Sequence, residues 1–264
     1  MIASRRRLWV IGGLAAWALV LGGLGVVSHF NDPPTVREQR DLASAVAVVN
    51  EAMGRTVGLA GQHAVPVIMP IAFDKGCRIT PVREGATATG IVRVFTEDGG
   101  SESFLSRIAA QYPRSYNAKL SADGKALRAD AGEFVALRAK LIVPGEVQVT
   151  VTTGCRPYDL DPDNELPESP QLDEPATVLR ELGASRVEPE KIAYAQCPFG
   201  NPATTAAALG QGLSAPFEKA RERDRGEKIL DTPKAYAYRR GTTQGVVVLP
   251  IDGGQARVYV TQLC

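Results

Sequence analysis

Four cysteines are the residues of this sequence with the clearest potential for chemistry. They lie far apart in the chain, at Cys77, Cys155, Cys197 and Cys264. A zinc site usually takes its ligands in pairs a few residues apart, and a catalytic thiol needs a histidine within reach. The sequence has only two histidines, His29 beside an apolar N-terminal segment and His63 in a predicted helix-to-strand connection. The cysteines therefore favour two disulfides, which are typical of exported proteins.

The segments that carry the cysteines recur along the chain. GEVQVTVTTGC (145–155) and GQARVYVTQLC (254–264) share Gly, Val, Val, Thr and Cys at the same places. Upstream, IAFDKGC (71–77) resembles IAYAQC (192–197). Such self-similarity predicts a duplicated structural unit, with chance similarity between Val-rich and Gly-rich strands as the alternative.

One acidic segment resembles a calcium-binding loop. Its alternating carboxylates are Asp159, Asp161, Asp163 and Glu165. The EF-hand pattern then fails, because Asn164 takes the place of the sixth-position glycine and Pro170 that of the twelfth-position glutamate. Prolines are frequent over residues 159–175, so a solvated linker is the favoured interpretation.

Other catalytic signals are absent from the sequence. It contains no G-x-S-x-G, no G-x-x-x-x-G-K-[ST] and no H-E-x-x-H. Distant carboxylates can still be brought together by a fold, as in glycosidases, so an enzyme remains an alternative. The 30 Lys and Arg residues are balanced by 29 Asp and Glu residues, which argues against a nucleic-acid partner. We predict no catalytic residue, no cofactor and no metal.

The N-terminus differs from the rest of the chain. Three arginines in residues 1–7 precede an uncharged run from Leu8 to Val27. About 20 apolar residues span a bilayer as a helix, and a basic flank stays in the cytoplasm. We expect residues 8–28 to be an uncleaved, single-pass anchor in the lipid bilayer of the cell membrane, with residues 1–7 cytoplasmic and the rest outside. A cleaved signal peptide or a twin-arginine export signal are the alternatives.

The first extracytoplasmic module is predicted to be α+β over residues 29–158. Apolar residues three and four positions apart predict a helix around residues 42–53 and another in SESFLSRIAAQY (101–112). Between these helices, β-branched residues predict three short strands over residues 66–96. Asp123-Gly124 and Pro144-Gly145 then each suggest the turn of a hairpin.

The second module is predicted over residues 176–264, after the acidic linker at 159–175. A short helix in PATVLRELG begins it, and a longer helix is expected from Asn201-Pro202 through ATTAAAL, with a continuation in APFEKARERD (215–224). Three strands close the chain. This module is therefore expected to lack one strand of the first. The fold class is α+β: two tandem, related modules, each with a mainly antiparallel sheet, one or two helices and a disulfide.

These features favour a binding or assembly module at the bacterial cell envelope. A duplicated module without visible catalytic residues offers sheet faces and an inter-module surface to an envelope protein or a small ligand. An envelope hydrolase with its site between the modules is one alternative, and a carrier of a small ligand or lipid is another. Whether the modules share one sheet is left open.

The duplication selects one of the three pairings that four thiols allow. It joins the first strand of each module to its last, as Cys77–Cys155 and Cys197–Cys264. We expect these two links in a non-reducing peptide map of the exported protein, with free thiols blocked before digestion. Four free thiols would contradict the predicted compartment, and crossed pairs would contradict the duplication.

Overall fold

The protein is described here by a computed structural model. It covers residues 2–31, 41–158, 173–190, 192–213, 218 and 226–264. Its first element is helix α1, Ile2–Asn31. Within the described part of the chain, no helix is both long and apolar enough to cross a membrane. The structure therefore does not support the predicted anchor at residues 8–28.

The first module contains one antiparallel sheet of six strands, packed under two helices. In chain order its elements are α2 (Leu42–Gly58), β1 (Ala64–Thr80), β2 (Arg83–Thr96), α3 (Gly100–Gln111), a 3₁₀ turn (Arg114–Tyr116), β3 (Lys119–Leu120), β4 (Ala126–Asp130), β5 (Ala136–Val143) and β6 (Glu146–Thr152). The strands lie in the order β1-β2-β6-β5-β4-β3.

The second module contains a separate antiparallel sheet and one described helix. Its elements are α4 (Glu174–Glu181), β7 (Arg186–Pro189), β8 (Ala193–Ala195), β9 (Ala203–Gln211), β10 (Glu227–Thr232), β11 (Ala235–Arg240), β12 (Gln244–Ile251) and β13 (Gln255–Gln262). The order is β10-β11-β12-β13-β9-β7, and β8 also pairs with β9. The α+β class, with two antiparallel sheets, is thus confirmed, and each module has its own sheet.

The two sheets have the same strand order once β7 and β8 together are taken as the counterpart of β1. In the first sheet, β1 pairs with β2 and β2 with the last strand, β6. In the second, β7 and β8 both pair with β9, and β9 pairs with the last strand, β13. Each last strand then begins a run of neighbours in reverse chain order. The disulfides join the same places in both, because Cys77 on β1 bonds Cys155 after β6, and Cys197 after β8 bonds Cys264 after β13. This arrangement is the one expected of a duplicated unit, in which β9 is the counterpart of β2.

The helix predicted from Asn201 is wrong, and so is the lost strand. Ala203–Gln211 is the strand β9, which lies next to the edge of the second sheet, between β13 on one side and β7 and β8 on the other. Alanine favours helix locally, but small side chains are needed here because both faces of β9 are covered. Gly210 illustrates the crowding, since a Cβ there would lie 2.6 Å from Cδ2 of Leu179 on α4.

The region predicted as three short strands forms one long hairpin. β1 and β2 pair over most of their length, and the turn is at Pro81-Val82. Register shifts between Met69 and Ala72, and between Asp74 and Cys77, let the paired strands continue past the polar and proline residues that suggested breaks. The strands β7 and β10 were not predicted. The acidic run at residues 159–172 lies outside the described residues, as does the continuation predicted at 215–224 apart from residue 218.

The molecule is built in four layers. Helices α2 and α3 cover one face of the first sheet, the second sheet packs against the other face, and α4 covers the far side of the second sheet. Buried residues shared between the two sheets are Val65, Val67 and Phe95 from the first module and Ala207, Ile229, Leu230, Ala235, Ala237, Val247 and Tyr259 from the second. The inter-module contact is therefore a hydrophobic core.

Helix α2 also touches the second module directly. Its N-terminus is capped by Asp41, whose carboxylate accepts a hydrogen bond of 2.6 Å from the backbone N–H of Ser44. Near its C-terminus, Gly54 faces the chain that follows β8, where a Cβ would overlap the backbone carbonyl of Gln196. The absence of a side chain at Gly54 thus allows the backbones of the two modules to touch.

We expect Gly54→Ala to destabilise the protein. Alanine adds helix propensity, but the clash with Gln196 forces the modules apart, and overpacking of this kind costs about 1 to 3 kcal/mol or more. Denaturant unfolding of the full chain measures the effect. Gly58→Ala is the matched control on the same helix, because its Cβ would lie 3.9 Å from Sγ of Cys264 in ordinary contact. Equal stability of the two variants would contradict the close approach at Gly54.

Candidate binding cavity between the two modules

A cavity of about 440 Å³ opens where the ends of α2 and α3 meet the second module. Its walls are formed by Arg55, Gly58, Leu59, Gln111, Tyr112, Pro113, Pro198, Phe199 and Cys264. Most of these residues are apolar, and pockets of roughly 300 to 1,000 Å³ are the usual size for bound organic groups. The cavity is therefore large enough to hold a side chain cluster or a small ligand.

Local sequence explains why these elements end at the cavity. Helix α2 ends at Gly58, and α3 ends at Gln111 because Pro113 cannot continue the helical hydrogen bonding. On the other wall, the disulfide Cys197–Cys264 fixes the segment that carries Pro198 and Phe199. Sγ of Cys264 lies 3.6 Å from the carbonyl oxygen of Gly54. The second disulfide thus holds the loop against α2.

Tyr112 forms the floor of the cavity and is almost fully buried, with 5% of its surface exposed. Its hydroxyl lies 2.7 Å from Oγ1 of Thr56, which is 2.8 Å from the carbonyl oxygen of Ala52. Because Thr56 has one proton and donates it to Ala52, Tyr112 must be the donor to Thr56. Burial raises the pKa of Tyr112. Tyr112 therefore stays neutral in the folded protein.

The cation beside the cavity is already paired. Arg55 donates to the carboxylate of Glu51 from Nε at 3.1 Å and from Nη2 at 2.6 Å. This hydrogen bond is the main reason why the pKa of Arg55 is raised. Because Glu51, one helical turn away, neutralises the charge of Arg55, little net electrostatic field remains at the opening of the cavity. The arrangement favours an apolar guest over an anion.

Phe199 stands at the mouth of the cavity, and 91% of its surface is exposed. It follows Pro198 and precedes Gly200, whose φ of 82° is a left-handed conformation that glycine adopts easily. This turn directs the ring of Phe199 to solvent and away from both cores. An aromatic ring held this way offers a large apolar area to a binding partner.

A second cavity, of about 280 Å³, lies on another side of the inter-module contact. Residues from β1 and from β9 and β13 line it, namely Ile68, Met69, Pro70, Glu190, Thr205, Ala207, Arg257 and Tyr259. Its charges are matched, because Nη2 of Arg257 lies 2.9 Å from the carboxylate of Glu190. It is smaller than the first cavity.

The structure separates the residues that the sequence singled out. Cys197–Cys264 lies in the cavity wall, whereas Cys77–Cys155 packs against Gly85 near the tip of the long hairpin. His63 is exposed. Among the described residues, no group of three histidine, cysteine, aspartate or glutamate side chains is placed to hold a metal. The side chain of His29 and the acidic run at 159–165 lie outside the described residues.

Sequence reasoning did not identify the residues that form the cavity. Arg55, Tyr112 and Phe199 come from three separate elements, and nothing in their local sequence marks them as neighbours. The one available signal was Pro198-Phe199-Gly200, an aromatic residue in a turn that directly follows a disulfide cysteine.

Comparison with known proteins gives no match. No protein-family model, no curated protein and no solved structure is significantly similar to this chain. The function must therefore be inferred from the geometry alone.

The raised pKa of Tyr112 predicts a loss of stability in alkali. The unfolded tyrosine ionises at about pH 10, while the folded one resists ionisation. Between these two pKa values the folded state holds more protons than the unfolded state, so the free energy of unfolding falls as pH rises above about 10. Tyr112→Phe should flatten this decline.

Urea unfolding of the full chain from neutral pH to about pH 11 tests the expectation. Tyr112→Phe should itself cost about 1 kcal/mol at neutral pH, because Thr56 loses a hydrogen bond. Tyr194→Phe, at a partly exposed position of β8, is the control. An alkaline decline as steep in Tyr112→Phe as in the wild type would show that Tyr112 is not its source.

Proposed function

We propose that this chain is a single-pass, membrane-anchored, extracytoplasmic binding protein. In this proposal the cavity between the modules accepts an apolar group from a partner protein of the bacterial cell envelope. The two disulfides support an oxidising compartment outside the cytoplasm.

The observation that carries the proposal is an apolar cavity with an exposed aromatic ring at its mouth. A ring as open as Phe199 costs the isolated protein solvation free energy. Aromatic residues beside apolar pockets are the residues that contribute most to protein–protein binding. Because the cavity and the ring of Phe199 adjoin, a partner that fills the cavity can also cover the ring.

The uncharged run of residues 8–27 supports the anchor. Large hydrophobic side chains that are exposed along α1 include Leu14, Trp17, Leu19, Val20, Leu21, Leu24, Val26 and Val27. They lie on all sides of the helix, whereas a helix that packs on a globular domain exposes a polar face. Burial in lipid would remove this apolar surface from water. The basic residues at 5–7 would then keep the N-terminus in the cytoplasm.

A carrier of a small apolar ligand or lipid is a second candidate function. The observation in its favour is the cavity volume of about 440 Å³, within the range of ligand pockets. An envelope hydrolase has no such support, because the described residues that line the cavity include no histidine, no free thiol and no carboxylate.

A photo-crosslinking amino acid at position 199 should link the full chain to an envelope protein in living cells. The matched control is position 82 at the tip of the long hairpin, where Val82 is 96% exposed and lies away from the cavity. Phe199→Ala should then weaken partner binding at least about tenfold, as an aromatic anchor contributes about 2 kcal/mol, whereas Val82→Ala should not.

Equal crosslinking from both positions would overturn binding at the cavity. A crosslink absent from position 199, together with a small lipophilic molecule retained by the wild type and lost by Phe199→Ala in native mass spectrometry, would favour the carrier.

A further inference from the structure

Part of the first sheet has a face that no other layer covers. The second sheet packs mainly on residues of β1 and β2, and Leu230 of β10 also lies against Gly145 in the turn between β5 and β6. On β4 and β5, buried residues such as Leu127, Leu137 and Ala139 point toward the helices. Because side chains alternate between the faces of a strand, the residues between them point the other way, to solvent.

Basic residues dominate this uncovered face. Asp130 on β4 is exposed there too, and its carboxylate accepts a hydrogen bond of 2.9 Å from the backbone N–H of Gly132. The basic residues are Lys119, Arg128, Arg138 and Lys140, all exposed. We call this group the basic face. In the register of the sheet, Arg128 lies directly opposite Lys119 on one side and Arg138 on the other. Neighbouring strands are about 4.8 Å apart, so these three cations form a row about 10 Å long.

The like charges in this row oppose folding. Directly opposed charges of the same sign destabilise a sheet, and no carboxylate among the described residues lies within ion-pair distance of these four side chains. The contrast with Arg93 is clear, since on the same sheet its Nε lies 2.8 Å from the carboxylate of Glu146. These four cations are therefore left to the solvent, where an external anion can reach them.

We propose that the basic face rests on the anionic phospholipid headgroups of the membrane that holds the anchor. The inference depends on the anchor proposed above and not on the cavity. The anchor alone does not determine which side of the folded domain faces the bilayer.

The shape of the basic face fits a lipid surface. It is an open face of a sheet, formed by side chains of the neighbouring strands β3, β4 and β5. Ile142 lies two residues after Lys140 on β5, with 41% of its surface exposed, and offers an apolar contact of the kind found at a lipid interface. A flat, cationic and partly apolar surface thus matches a plane of phosphates.

The tether makes the contact possible. Residues 32–40 link α1 to the folded domain, and nine residues reach at most about 30 Å. The folded domain therefore stays near the headgroups, where each cation that reaches them strengthens attachment by about fivefold. Salt weakens the attraction, because charges separated by more than about 10 Å are screened.

Lysine labelling of the full chain in lipid nanodiscs tests the proposal. One set of discs contains phosphatidylcholine only, and the other contains phosphatidylglycerol as well. Acylation of Lys119 and Lys140 should be at least about fivefold slower in the anionic discs, and high salt should abolish the difference. Lys234, in the exposed turn between β10 and β11, is the internal control and should react equally in both.

Arg128→Glu separates docking from folding. It places a carboxylate between Lys119 and Arg138, so the sheet should be at least as stable as in the wild type. In anionic discs, Lys119 and Lys140 of this variant should nevertheless be acylated at rates within about twofold of those in phosphatidylcholine discs. Arg83→Glu, at the start of β2 on the long hairpin, changes the same charge elsewhere and should leave the protection intact.

The outcomes distinguish the two proposals. If the chain fails to enter either kind of disc, the anchor is overturned and this inference with it. If it enters both and Lys119 and Lys140 react at the same rate, only the docking of the basic face is overturned. Protection that appears with soluble polyphosphate but not with anionic discs would also overturn it, in favour of an anionic polymer.

Discussion

The rest of the structure depends on the hydrophobic contact between the two sheets. Val65, Val67 and Phe95 are completely buried there against Val247 and Tyr259 of the second module. The sheets meet closely, as a Cβ at Gly245 would lie 2.6 Å from Cγ1 of Val65. Because this contact brings β8 past the edge of β1 to α2, it also places the second disulfide on α2 and creates the cavity. The site is a consequence of how two similar modules pack.

A buried cation fixes the register of that contact. Arg239 on β11 is 5% exposed and donates to the backbone carbonyls of Gly61 and Ala64, between α2 and β1, and to that of Thr242. Burial lowers the pKa of Arg239, which shows that its desolvation is unfavourable. Such a group adds little net stability, but its carbonyl partners are satisfied in one alignment only. The apolar contact thus holds the two sheets together, and the hydrogen bonds of Arg239 fix their relative position.

Local patterns in the sequence were sufficient for α2, α3, the two hairpins of the first sheet and the cysteine pairing. They failed at β9. Ala206, Ala207 and Ala208 favour a helix in isolation, but in the protein they are buried between layers on both sides of the strand, where only small side chains fit. The cavity could not be predicted for a related reason. Gly54 and Cys264 touch across 210 positions of sequence, so nothing near either residue reveals the contact. In both cases the local structure is determined by contacts between the modules, which the local sequence does not show.

The overall composition likewise could not predict the basic face, because that face also depends on how the strands and sheets pack. A net charge of +1 correctly argues against long-range attraction of a polyanion. Electrostatic attraction between a surface and a bilayer, however, acts over about 10 Å, so only the charges on the nearest face matter. The second sheet leaves half of the first sheet's outer face open, and the strand register collects the cations there. One face of the first sheet is therefore divided between the second sheet and the solvent.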